Sequence, residues 1–194
     1  MTPSANSPDS GLAALDQRRS VPVRQLGEPG PDEAALLRML RSAVRVPDHG
    51  KRVPYRFIRI QGDARDALGQ SLAEITLQRN ANAGEAEVDK DKRRFSHAPL
   101  VIAVLDPHDT HIPEQERLLT AGCVCFALLQ AAQAMGFGAC WLSGWPAYDA
   151  RVRALLGVEE NERVAGFIHI GTPQALVPER ERPDPAALLT DFAP

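Results

Sequence analysis

Leu100-Val101-Ile102-Ala103-Val104-Leu105 is an unbroken apolar run of strand length. A strand with one wet face alternates apolar and polar residues, whereas an unbroken run is buried on both faces. The run therefore predicts a central strand with covering layers above and below it. The next long segment can supply one cover. Pro113 to Met135 predicts a helix whose second half, with Cys123, Val124, Phe126, Leu128, Leu129 and several alanines, is apolar nearly all round. Such a helix is buried on most sides, in the core or against another subunit. Gly136-Phe137-Gly138 ends it, and Ala139 to Leu142 begins a further strand.

Working back toward the N-terminus, residues 1–9 read as a flexible tail. Leu12 to Arg18 reads as a short helix with Ser10 as its N-cap. Pro31 or Asp32 starts a second helix, with Leu36, Leu37, Leu40 and Val44 on one side, and it should stop near Val46 because Pro47 follows. Tyr55 to Gln61 reads as a strand with Tyr55, Phe57 and Arg59 on one face. Asp63 caps a helix that runs to about Asn80. The charged stretch from Asn82 to Arg94 reads as a solvated helix, loop or lid. Working forward, Asp149 to Leu156 is a short helix ended by Gly157, and Val164 to Ile170 is a last apolar strand. From Pro173 the chain is proline-rich, and its Leu188, Leu189 and Phe192 need something to pack on, such as a partner subunit. This order predicts an α/β (α+β) three-layer sandwich, a mixed sheet covered by helices on both faces.

The 194 residues suit one sizeable core, here a single domain over 10–194 with 173–194 as an extension. Hydrophobic residues make up 44% and charged residues 24%, an ordinary globular composition that argues against disorder. A formal charge of -3 offers no basic field for nucleic acid. Three cysteines without a framework spacing point to a reducing, cytoplasmic setting. The polar N-terminus resembles no signal peptide. Ala121 to Ala134, with Gln130 and Gln133, is too short and too polar for a membrane span.

Four segments could carry chemistry. Arg18-Arg19-Ser20 puts two guanidiniums and a hydroxyl where a helix gives way to a turn, the donor types that suit a phosphate; a solvated basic helix end has the same look. Arg45-Val46-Pro47-Asp48-His49 places a cation in a last helical turn and a histidine in a loop, where it could donate to a cofactor or be fixed by Asp48. In the stretch from Gly136 to Gly144, glycines permit close approach to a flat ligand and Trp141 offers apolar area; a helix stop followed by a core strand is the plainer interpretation. Asp106, His108, Asp109, His111 and Glu114 form a polar cluster that could bind a metal, as in a hydrolase, but in no recognised ligand spacing.

In this order the segments resemble the nitroreductase family of flavoproteins, and more closely its small single-domain NAD(P)H nitroreductases. The carrying motifs are Arg18-Arg19-Ser20, Arg45-x-Pro47-Asp48-His49, Pro54-Tyr55-Arg56-Phe57, Ala98-Pro99-Leu100-Val101-Ile102 and Ala121-Gly122-Cys123. They continue with Gly136-Phe137-Gly138, Trp141-x-Ser143-Gly144, Gly166-Phe167-x-x-x-Gly171-Thr172-Pro173 and Pro183-Asp184-Pro185.

The resemblance implies a largely antiparallel sheet within an intertwined homodimer holding FMN at the subunit interface. It implies NADH or NADPH as hydride donor, and a nitro compound, quinone or similar small molecule as acceptor. Arg18, Arg19 and Ser20 would then contact the FMN phosphate and ribityl chain. Arg45 and His49 would also touch FMN, while Trp141, Leu142 and Ser143 line the flavin. Ala131, Ala132, Gln133, Ala134, Met135 and Gly136 match the nicotinamide-nucleotide region. Arg45 and Lys51 are candidates for tuning the flavin electrostatically. Asp48, Lys51, Val53 and Tyr55 depart from the Ser, Asn, Gln and Trp of the larger family, which leaves open an FMN-binding module with little turnover. Arg180 and Arg182 stand in for the family's usual C-terminal phosphate-pairing residue.

Overall fold

The computed structural model describes residues 8–109 and 111–193. Six α-helices and five strands follow in chain order among these residues: α1 Pro8–Asp16, β1 Leu26–Gly27, α2 Glu33–Ala43, β2 Arg56–Gln61, α3 Asp63–Arg79, α4 Glu85–Lys92, β3 Leu100–Asp106, α5 Glu114–Ala134, β4 Gly138–Leu142, α6 Ala150–Leu155 and β5 Arg163–Pro173. Strand β5 pairs with β3 along one side and with β4 along the other, and β3 pairs with β2. The far end of β5 also takes β1, with Leu26 opposite Pro173 and Gly27 opposite Thr172. The sheet, expected to be mixed and largely antiparallel, is antiparallel at every described pairing, so its mixed character is corrected.

Strand β3 is buried throughout, as its composition requires. Leu100, Ile102 and Val104 point into a core built with Leu36 and Met39 of α2 and Val124, Cys125 and Leu128 of α5. Val101, Ala103 and Leu105 point the other way, into a core built with Leu68, Leu72 and Ile75 of α3, Val152 of α6, and Phe95 from the link between α4 and β3. The result is three layers: α2 and α5, the sheet, then α3, α4 and α6. Fully burying one Val, Leu or Ile stabilises the fold by about 1.5–3 kcal/mol, so each layer is held by several such contributions.

Local sequence explains most element ends. The Asp32 carboxylate accepts the Ala35 N–H at 2.7 Å and caps α2. Asp149 does the same for α6 through the Arg151 N–H at 3.0 Å. Gly136, at φ 84°, turns the chain from α5 into β4.

Several expectations need correction. Helix α1 begins at Pro8, so Ser10 lies inside it and is not its cap. Residues 1–7 of the expected tail lie outside the described residues. Helix α2 ends at Ala43, before the proline restricts the chain, and its buried stripe is Leu36, Met39 and Ala43, leaving Leu37 and Val44 exposed. Gly62 occupies the cap position of α3, and Asp63 is a first-turn acid that favours the helix through the dipole.

The charged stretch folds down as α4 because its Asp91 finds partners. The buried Asp91 carboxylate accepts from Thr76 Oγ1 at 2.8 Å, Arg94 Nη2 at 2.6 Å and Trp145 Nε1 at 3.2 Å. Desolvation pushes its pKa up, but the donors from Arg94, Thr76 and Trp145 outweigh it and hold the carboxyl below its ordinary value.

His169 of β5 is buried and stacks on Phe95, with ring centroids 5.8 Å apart. Desolvation, with Arg94 and His97 nearby, lowers its pKa from the ordinary 6.5 to about 3. The unfolded chain therefore holds more protons than the folded one between these values. The stability due to this group is complete above the unfolded value and is lost as the pH falls toward the folded one. In urea unfolding, the loss of stability as the pH falls from 6 to 5 is expected to shrink by about 1 kcal/mol in His169→Leu. An unchanged slope in the variant would count against a neutral buried imidazole.

Candidate functional site

The segment after α1 is pinned to the sheet, where the Val21 N–H donates to the Ala139 carbonyl of β4 at 3.0 Å. This holds Arg18, Arg19 and Ser20 in a turn near the strand end that follows the C-terminus of α5. Arg18 Nη1 donates to Ser20 Oγ at 3.1 Å, so guanidinium and hydroxyl form one donor group. Arg19 Nη1 donates to the carbonyls of Asp16 and Arg18, each at 3.1 Å. Its other terminal nitrogen makes an ion pair with Glu179 of the C-terminal segment. Arg182 also reaches this turn, donating to the Arg18 carbonyl at 3.4 Å. The C-terminal basic residue at the motif is thus Arg182; the bond that Arg180 makes runs from its backbone N–H to Glu179.

Arg45 and His49 stand elsewhere along α5. His49 pairs with Glu116 in the first turn of that helix. Arg45 borders an open apolar groove of about 470 Å³ with Pro47, Leu119, Cys123 and Phe126. Lys51 is exposed in the next turn, at φ 58°. One chain therefore carries two basic groups toward opposite ends of α5, which would be about 31 Å long at 1.5 Å per residue. Between them α5 exposes an apolar stripe, Leu119, Cys123 and Phe126, at helical spacing.

Trp141, at the far end of β4, lies over β5. Its Nε1 donates to the Ala165 carbonyl at 3.3 Å, and its ring edge approaches Gly122 of α5. It forms one wall of an apolar pocket of about 500 Å³, shared with Leu118, Tyr148, Arg163 and Val164. That volume falls within the range of small-molecule sites. Ser143 is exposed and Leu142 half-buried just beyond. Of the proposed nucleotide segment, Ala131 and Ala132 pack into the core, while Ala134, Met135 and Gly136 face outward.

The polar cluster after β3 is divided among arginines. Asp106 is fully buried with Arg117 Nη1 at 3.7 Å. Asp109 takes a two-pronged pair from Arg52, at 2.9 and 3.2 Å, and Glu114 pairs with Arg163. Among the described residues no three His, Cys, Asp or Glu side chains converge as a metal site. Sequence reasoning missed Glu179 and the partner role of Gly166. An isolated acid in a proline-rich tail and a lone glycine in a strand carry no signal of what the fold sets against them.

The donor set suits an FMN phosphate. Two guanidiniums and a hydroxyl occupy one turn, and Arg19 already grips a carboxylate there, an oxyanion of similar hydrogen-bonding chemistry.

A family model described as Nitroreductase family matches residues 15–172. The chain is 33% identical over 184 residues to the Escherichia coli K12 protein named "Putative NAD(P)H nitroreductase YdjA", covering 93% of this chain and 98% of that one. A nitroreductase-like family protein from Bacillus cereus has a similar structure, with a TM-score of 0.81 at 21% identity, covering 99% of this chain and 98% of the other. A nitroreductase with bound FMN from Bacteroides fragilis gives a TM-score of 0.69 at 21% identity, covering 94% and 98%. At these identities the two solved structures speak to the fold alone.

A Cβ at Gly166 would lie 2.0 Å from Trp141 Nε1, so the indole needs a glycine beneath it. Gly166→Ala is expected to destabilise by about 1–3 kcal/mol through overpacking. In a Trp145→Phe background it should also shift the fluorescence of the displaced Trp141. Unchanged emission and stability would contradict this packing.

Proposed function

The chain belongs to the nitroreductase family, and on that footing we propose that it is an FMN-dependent oxidoreductase. It takes hydride from NADH or NADPH and passes reducing equivalents to a nitro compound, quinone or similar small acceptor. The observation that carries this reading is the turn at Arg18–Ser20. It is a phosphate-type donor group fixed to the strand that, at its other end, presents Trp141 over an apolar pocket.

Arg18, Arg19 and Ser20 would hold the phosphate. Trp141, Leu142 and Ser143 would line the ring, and the exposed Ala134, Met135 and Gly136 would meet the nicotinamide nucleotide. What FMN supplies when bound is hydride exchange at its ring nitrogen N5, a chemistry that side chains do not offer. The chain's own task is to grip, orient and shield. Arg45 and Lys51 would supply positive charge beside the bound ring.

The working unit is a homodimer. The exposed stripe on α5, flanked by the groove beside Arg45, asks for an apolar cover. Two copies paired antiparallel through α5 would set one subunit's Arg18–Ser20 turn near the other's Arg45 and His49. This turns two separate basic groups into one site.

Three outcomes test this. The purified protein should be yellow, bleach with NADPH under anaerobic conditions, and recover colour with a quinone or nitroaromatic. Bound FMN that NADPH does not bleach would favour a binding module instead, and a protein that refuses FMN would overturn the assignment. Arg18→Ala should weaken FMN binding about tenfold or more, the value of one or more charge-assisted hydrogen bonds. Phe126→Glu should sediment as a monomer and lose FMN; a flavin-loaded monomer would sink the interface site.

A further inference from the structure

Glu179 sits where a ligand phosphate would be drawn. Its carboxylate pairs with Arg19. It accepts from Arg182 at 2.9 and 3.0 Å and from the Arg180 backbone N–H at 2.9 Å. Arg182 in turn donates to the Arg18 carbonyl, so the C-terminal segment is tied to the Arg18–Ser20 turn at two points. The remaining ties of this segment are few. Beyond Pro173 it holds one short 3-10 turn, Pro185–Leu188, and Leu176, Leu188, Leu189 and Phe192 are largely exposed.

We propose that Glu179 is a built-in surrogate for the ligand phosphate, and that phosphate binding at Arg19 displaces its carboxylate while Arg182 stays at the turn. The inference rests on the phosphate assignment made above. Both anions seek the same guanidinium. A carboxylate brings one negative charge, and a phosphate monoester brings up to two with three acceptor oxygens, so the phosphate wins the arginine at sufficient concentration. The pair is partly exposed, so its grip is modest and readily exchanged. A flavin without the phosphate has no claim on Arg19 and leaves the latch closed. Glu179 thereby sets both the affinity of the phosphate subsite and its preference for FMN over riboflavin.

The test uses the full chain freed of bound flavin by dialysis. FMN and riboflavin are titrated separately by quenching of flavin fluorescence, into the wild type, Glu179→Gln and Glu179→Ala. Both variants should bind FMN about two- to fivefold more tightly, the worth of one exposed ion pair, and riboflavin with unchanged affinity. Equal FMN affinity in all three proteins, equal gains for both flavins, or weaker FMN binding in the variants would overturn the inference. Failure of the wild type to bind FMN at all would overturn the phosphate assignment itself, and with it this proposal.

Discussion

Burying β3 on both faces is the constraint on which the rest of the molecule depends. A strand covered from above and below can carry no charge along its length, and its successive residues must feed two separate cores. Leu100, Ile102 and Val104 serve one, and Val101, Ala103 and Leu105 the other. Only at its last residue does a carboxylate appear, and Asp106 has Arg117 beside it. Burial still raises the Asp106 pKa, since desolvation outweighs the nearby guanidiniums of Arg117 and Arg163.

The features legible in the sequence were those in which composition alone decides burial. The apolar run at Leu100, the helix that follows it and the glycine at 136 each specify their element regardless of neighbours. Positions decided by competition were harder to read. Leu37 and Leu36 are chemically the same, yet only the register of α2 against the sheet says which of them is buried. Asp63 looks like a cap, but the chain enters α3 through Gly62 at φ 60°. Asp91 is one acid among many in a charged stretch; three donors from distant parts of the chain make it an anchor.

The candidate site divides the same way. Arg18–Arg19–Ser20 could be singled out because donor type and turn coincide in three consecutive residues. Which anion Arg19 meets could not, since Glu179 lies across the whole chain from it. The histidines and acids after β3 showed the reverse failure. Proximity in sequence suggested a cluster, but Asp106, Asp109 and Glu114 each turn to a different arginine, and among the described residues only Asp109 and His111 stay in contact. Local spacing reports on helices and turns. It says little about residues whose partners arrive through the sheet.

Strand β5 touches β1, β3 and β4, and it is the last strand among the described residues. Leu26 and Gly27, made early, have their strand partners at Pro173 and Thr172. Such non-local pairing places a late step at the heart of assembly. On the ribosome, Arg18 and Arg19 wait beside an unfinished sheet until β5 has emerged. The Arg18–Ser20 turn, seated on β4, is therefore fixed late, and a nascent chain cut short before β5 would leave β4 without its strand partner.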